Sequence, residues 1–348
     1  MGKLNNLITQ IWNKGFYSDR MRTFVLKFMR TFPVFIPYPQ CIEVETSTAC
    51  NLKCIMCENT YWKEPPKFMT LEQFKYIVDQ FPKLRWIGLT GIGESFLNPD
   101  FLNMLEYVRS KNIWIELYDN FYNIDKETAD RLVDIVINRF YVSLDGATKE
   151  TYEKVRVGSN WEKVMENVKY YIKNMKKTKL DFHYIVSKPN LHELPQYVEL
   201  VDGFKKEANG KLDNTEIWFT RVLHGFKEIE GIYTEIPDDI IKKTEAKAKE
   251  LGVKVRWGAD VPKTLPPVKN CMAWLQPFIF VTGHVVPCCT NNEANMRETQ
   301  KKFAMGNIFE TQFKEIWNGP KYKALRRAIR NNRIPVYCTS CNIFEGEK

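Results

Sequence analysis

The 348-residue chain is 44% hydrophobic and 14% aromatic, which excludes a disordered protein and suffices for one large folded unit or two smaller ones. No apolar run reaches the roughly eighteen residues of a membrane span and no secretory leader opens the sequence, so a cytoplasmic protein is expected. In that reducing compartment nine cysteines, an odd number, point to metal ligation or catalysis, while a net charge of +9 serves solubility or attracts anionic partners.

Residues 1–39 carry six Lys or Arg and one Asp. Apolar residues recur there at helical spacing: Leu4, Leu7, Ile8, Ile11 and Trp12, then Phe24, Val25, Phe28 and Met29. Two short amphipathic helices are expected, packed on their own domain or in weak contact with an anionic membrane surface. Pro33, Pro37 and Pro39 close that segment and lead into an extended strand over 42–46.

That strand runs directly into Cys50-Asn-Leu-Lys-Cys54-Ile-Met-Cys57. Three thiolates this close on one loop can converge on a metal centre, whereas a structural zinc site takes four closed ligands. Three ligands leave a metal position open for chemistry.

Beyond it, strands and helices alternate. Thr70 and Gln73 form a capping box for a helix with Leu71, Phe74, Ile77, Val78 and Phe81 on one face. A strand over 85–90 ends in Gly91-Ile92-Gly93-Glu94, and Asn98 with Pro99 is expected to start the next helix. Strands follow over 113–118, 139–144, 180–186 and 216–223, separated by helices that begin after Asp125, near Asn160 and near Leu191. Six strand–helix units predict an α/β fold, a partial six-stranded parallel β/α barrel over 40–230 with right-handed crossovers. Functional groups in such sheets sit at the carboxyl ends of the strands, and the cysteine loop, residues 91–94, Asn120 and residues 143–145 all fall there.

After residue 231 a charged helix over 238–251, a strand and the Pro262, Pro266, Pro267 linker lead to a small C-terminal unit of β-hairpin and helix. It carries Cys271, a hairpin turning near Gly283 before Cys288, a helix over 311–330, and Cys338-Thr-Ser-Cys341.

On these motifs the chain resembles the radical S-adenosylmethionine superfamily, and its C-terminal third resembles the SPASM or twitch extension. The resemblance implies that Cys50, Cys54 and Cys57 hold three irons of a 4Fe–4S cluster whose fourth iron binds S-adenosylmethionine. It places Gly91, Gly93 and Glu94 at the methionine amino group, and Arg156 at the methionine carboxylate. Asn120, Ser143 and Asp145 fall among the ribose and methionine contacts, and Met56 beside the adenine. It assigns Cys271, Cys288, Cys338 and Cys341 to one auxiliary 4Fe–4S cluster, with Cys289 as the alternative to Cys288 and a zinc ribbon knuckle as the counter-reading.

The activity so implied is hydrogen abstraction from an unactivated carbon by a 5′-deoxyadenosyl radical, with the auxiliary cluster accepting the substrate's electron. An oxidoreductase acting on a small polar substrate, a sugar, cyclitol or nucleoside, is the main expectation. A peptide maturase or an epimerase is the alternative. A flavodoxin or ferredoxin, or its reductase, is expected as electron donor. The candidate substrate residues are His183 and Tyr184 on the fifth strand, and Arg221, as an anion holder, and His224, as a base, on or just after the sixth. A non-catalytic iron–sulfur or zinc protein that binds nucleic acid is the reading from another class.

Overall fold

The computed structural model describes residues 36, 38–222, 227–258, 275–288, 297–331, 333–335 and 338. The expected N-terminal helices, His224, Cys271, Cys289 and Cys341 lie outside the described residues.

Ten strands form one sheet: β1 Cys41–Val44, β2 Trp86–Leu89, β3 Trp114–Asp119, β4 Arg139–Ser143, β5 Lys179–Val186, β6 Glu216–Arg221, β7 Lys254–Trp257, β8 Phe278–Ile279, β9 His284–Val286 and β10 Gly306–Asn307. The order is β10-β9-β8-β1-β2-β3-β4-β5-β6-β7. Strands β1 to β7 pair in parallel with their sequence neighbours, as a partial β/α barrel requires. The parallel run is longer than the six strands expected, because β7 adds to β6.

The C-terminal hairpin also joins this sheet. β8 lies parallel to β1, and β9 and β10 follow it antiparallel. The open edge of β1 explains the junction: the Glu43 and Glu45 amides donate to the carbonyls of Pro277 at 3.0 Å and Ile279 at 2.9 Å.

One face of the sheet is apolar. Ile42, Ile87, Leu117, Phe140, Phe182 and Phe219 are buried in the core with the inward faces of the helices. Helix α1 spans Glu58–Tyr61, α2 Leu71–Asp79, α3 Phe101–Ser110, α4 Lys126–Ile135, α5 Lys149–Val155, α6 Trp161–Asn174, α7 Leu194–Glu207 and α8 Asp238–Leu251. The α2 capping box forms as its sequence predicts, with Thr70 and Gln73 each accepting from the other's backbone amide.

Three local expectations change. Asn98 is not the N-cap of α3; its side-chain amide donates to the carbonyls of Thr46 at 2.9 Å and Met69 at 2.8 Å, while Asp100 precedes α3. The segment expected as one helix over 311–330 is two, α10 Phe313–Asn318 and α11 Pro320–Arg330, because Gly319 and Pro320 interrupt the ladder. Helix α5 was not expected, and it positions Arg156 as its C-cap. A further short helix, α9 Arg297–Phe303, follows the hairpin. Among the described residues no helix is long and apolar enough to cross a membrane.

Candidate active site

The cysteine loop is held by backbone bonds to the chain just after α5. The amides of Lys53 and Ile55 donate to the carbonyls of Val157 at 2.8 Å and Val155 at 3.0 Å, residues on either side of Arg156. Within the loop, the Cys57 amide donates to the Cys54 carbonyl, and the Thr60 hydroxyl donates to the same carbonyl at 2.7 Å. From below, the Asn59 side chain donates to the Thr48 carbonyl at 2.8 Å, and the Glu94 amide donates to the Ala49 carbonyl at 2.7 Å. These bonds tie the loop to the segments around it.

Cys50, Cys54 and Cys57 line one cavity of about 300 Å³. Met56, Gly91, Gly93, Glu94, Asn120, Ser143 and Arg156 share its wall, so most of the residues singled out from the sequence converge there. Tyr118, Asp119, Leu52, Ile185 and Val222 also line it and were not foreseen. Leu52, Cys54, Met56, Val155, Val222 and Ile229 form an apolar cluster on the cysteine side. Burial pushes the thiols of Cys50 and Cys54 up to about 12 and that of Cys57 to about 11, so iron binding there must displace protons. Among the described residues no three His, Cys, Asp or Glu side chains close on a single metal ion. Thiols distributed round a cavity suit a cluster in which each sulfur takes its own iron.

Opposite the thiols the wall is polar. Burial and the neighbouring Glu94 hold the Asp119 carboxyl far above the usual carboxylate range. Asp119 and Glu94 share a side-chain hydrogen bond across the wall, and Arg156 Nε is buried without a hydrogen-bond partner among the described residues. A carboxyl pair and a guanidinium in one cavity wall match the ammonium and carboxylate of an amino-acid zwitterion. The methionine end of S-adenosylmethionine presents that pair of groups, so the residues present fit the cofactor.

The two glycines also have a packing role. A Cβ on Gly91 would stand 2.5 Å from Glu45 Cγ, and one on Gly93 would stand 2.5 Å from the Ser47 carbonyl oxygen. Their bareness lets the 91–94 loop pack on the end of β1 and on the cysteine loop.

Asp145 is not in the cavity wall. Its fully buried carboxylate lies behind Arg156, with Oδ2 2.6 Å from the guanidinium and Oδ1 accepting from the Ile185 amide at 2.6 Å. Its contacts are with Arg156 and the Ile185 amide, not with the cavity where the ribose contact was expected. Arg221 is likewise outside the wall: its guanidinium pairs with Glu235 and donates to the Tyr233 hydroxyl at 3.4 Å. A basic residue at a strand end fits a surface ion pair as well as a ligand, and here the ion pair forms.

Below the cavity the sheet's other face carries stacked aromatics. Tyr118 and Tyr141 stack at 4.2 Å between ring centroids, and His183 packs at 4.9 Å against Trp218. His183 Nε2 bonds the Thr220 hydroxyl at 2.9 Å, and burial, with Arg156 and Arg256 nearby, pushes its pKa down to about 3. At neutral pH it is an uncharged hydrogen-bond partner.

In the C-terminal region, Cys288 ends the β8–β9 hairpin and Cys338 sits in a turn whose amide donates to the Pro335 carbonyl at 2.9 Å.

The radical SAM superfamily model matches residues 44–201, and the model of the SPASM iron–sulfur cluster-binding domain matches residues 271–342. A tungsten-containing aldehyde ferredoxin oxidoreductase cofactor-modifying protein from Pyrococcus furiosus is 22% identical, over 88% of each chain. Mycofactocin maturase MftC from Mycolicibacterium smegmatis is 24% identical, over 92% of this chain and 80% of its own. Among solved structures, Streptococcus suis SuiB bound to S-adenosylmethionine has a similar fold, with a TM-score of 0.66 at 18% identity over 88% of this chain and 72% of that one. The structure of anSMEcpe with bound S-adenosylmethionine and the Cp18Cys peptide gives 0.57 at 19% identity, over 83% and 84%. The protein's cofactors are therefore a 4Fe–4S cluster, S-adenosylmethionine and an auxiliary iron–sulfur cluster. The chain belongs to the radical S-adenosylmethionine superfamily and carries a SPASM-type C-terminal iron–sulfur domain.

Proposed function

We propose that this enzyme is a peptide maturase that oxidises or crosslinks its substrate after hydrogen abstraction from an unactivated carbon. The observation that carries the reading is the similarity to mycofactocin maturase along almost the whole chain, together with the cysteine, Glu94 and Arg156 cavity. This favours a peptide over the sugar, cyclitol or nucleoside expected from the sequence.

When bound, the cluster and S-adenosylmethionine supply a 5′-deoxyadenosyl radical, and the auxiliary cluster supplies a one-electron acceptor. The chain's own residues prepare the reaction. Cys50, Cys54 and Cys57 hold the cluster, and Cys271, Cys288, Cys338 and Cys341 hold the auxiliary one. Glu94 and Asp119 take the methionine ammonium, and Arg156, steadied by Asp145, takes its carboxylate. Asn120 and Ser143 supply polar contacts further along the wall. Leu52, Met56, Ile185 and Val222 keep water away from the radical carbon. With these groups bound, the overall change in the substrate would be the loss of one hydrogen atom, one electron and one proton, a net loss of two hydrogens.

The test is anaerobic incubation of the reconstituted enzyme with reductant, S-adenosylmethionine and the short peptides encoded beside its gene, followed by mass spectrometry. A peptide lacking two hydrogens, formed with one 5′-deoxyadenosine per event, supports the reading. Substrate-dependent 5′-deoxyadenosine with a sugar or nucleoside, and none with peptides, overturns it.

A further inference from the structure

Glu45, the residue after β1, is 0% exposed, and a carboxylate so buried costs several kcal/mol unless it is paired. Its partner comes from the far end of the chain: Arg297, at the start of α9, donates from Nη2 to Oε1 at 2.8 Å and is itself 3% exposed. The Arg297 guanidinium lies over the Phe280 ring, 4.0 Å from its centroid. Glu45 Oε2 accepts from the Val281 amide at 3.2 Å, and Oε1 also accepts from the Ile92 amide at 3.4 Å. One carboxylate thus joins the end of the C-terminal hairpin strand β8, the first turn of α9 and the 91–94 loop of the cavity wall.

The 91–94 loop hangs from two backbone points. The Glu94 amide is bound to the Ala49 carbonyl, and the Ile92 amide is bound to Glu45. The missing side chain of Gly91 is what lets Glu45 reach under the loop. Replacing a buried ion pair with packed apolar residues is often neutral for stability, so its burial alone is no argument for a stabilising role.

We propose that the Glu45–Arg297 pair is a positioning device that sets the 91–94 loop for S-adenosylmethionine and makes cofactor affinity depend on the seating of the C-terminal extension. The proposal rests on the reading of Glu94 as the acceptor of the methionine ammonium. Neither partner touches the cofactor; both act through the loop.

The test uses the full-length, anaerobically reconstituted protein. Equilibrium binding measures S-adenosylmethionine affinity, and electron paramagnetic resonance follows the change in the reduced cluster's signal when the cofactor is added. Glu45→Gln and Arg297→Met are each expected to weaken binding about tenfold and to diminish the spectral change, with iron content retained. The neutral pair Glu45→Gln with Arg297→Gln leaves no lone buried charge, so it keeps the test open if a single variant does not fold. Its expected loss equals that of either single change, because one device is removed once. Wild-type affinity in the neutral pair, while Glu94→Gln loses affinity, overturns the positioning role and leaves the Glu94 reading intact. Wild-type affinity in Glu94→Gln overturns the reading of the loop and the proposal with it.

Discussion

Two buried ion pairs flank the cysteine cavity, and they differ in where they stand relative to its wall. In Asp145–Arg156 the guanidinium keeps Nε without a partner among the described residues, at the wall of the cavity. In Glu45–Arg297 both carboxylate oxygens are engaged, by the Ile92 and Val281 amides and the guanidinium, and neither residue lines the cavity. A pair with a member in the wall can meet a ligand directly, whereas a pair set behind the wall acts through the segments it holds. The first pair closes a contact across eleven residues and the second across 252.

The sharpest break of this contrast lies next to the first pair. Cys54→Ala is expected to abolish 5′-deoxyadenosine formation and the spectroscopic signal of the S-adenosylmethionine-bound cluster, while the auxiliary cluster's iron remains. Assays of product and of iron per chain check both. Arg156→Met comes next. It removes the carboxylate ligand and leaves Asp145 buried without its cation, so S-adenosylmethionine affinity should fall at least a hundredfold and stability by about 3–5 kcal/mol. Denaturant unfolding separates these losses, and Asp145→Asn in the same background should recover part of the stability and none of the affinity.

Cys338→Ala moves the perturbation to the C-terminal region. Cleavage of S-adenosylmethionine should persist within a few fold, while oxidised product per 5′-deoxyadenosine falls sharply; an unchanged ratio removes the electron-acceptor role. The smallest effect belongs to His183. Its pKa of about 3 when folded lies below the ordinary 6.5, so the unfolded chain binds a proton that the folded chain refuses. That contribution to stability is fully present above about pH 6.5 and is lost as the pH falls toward 3. His183→Asn, which keeps a hydrogen-bonding group for Thr220, should flatten the acid limb of the melting-temperature profile between pH 6.5 and 4.

Legibility in the sequence followed contact range. The spacing of Cys50, Cys54 and Cys57, the strand ends that bear Glu94 and Asn120, and the Thr70–Gln73 capping box depend on neighbours along the chain, and each appears in place. Arg156 was placed by resemblance, and the reason it reaches the thiols is the backbone pairing of residues 53 and 55 with 157 and 155. The rest depended on partners far away. Nothing near Glu45 announces Arg297, and nothing near Asn98 announces the Thr46 carbonyl it braces. Arg221 shows the converse limit, since a strand-end cation reads alike whether a substrate or Glu235 awaits it. The edge of β1 reads as an ordinary strand until the β8 segment pairs with it.

The most direct measurement is product analysis after anaerobic reconstitution, one-electron reduction and addition of S-adenosylmethionine. A three-cysteine cluster facing Glu94 and Arg156 predicts 5′-deoxyadenosine and methionine in equal amounts, lost in Cys54→Ala. Intact clusters with no 5′-deoxyadenosine would contradict the account.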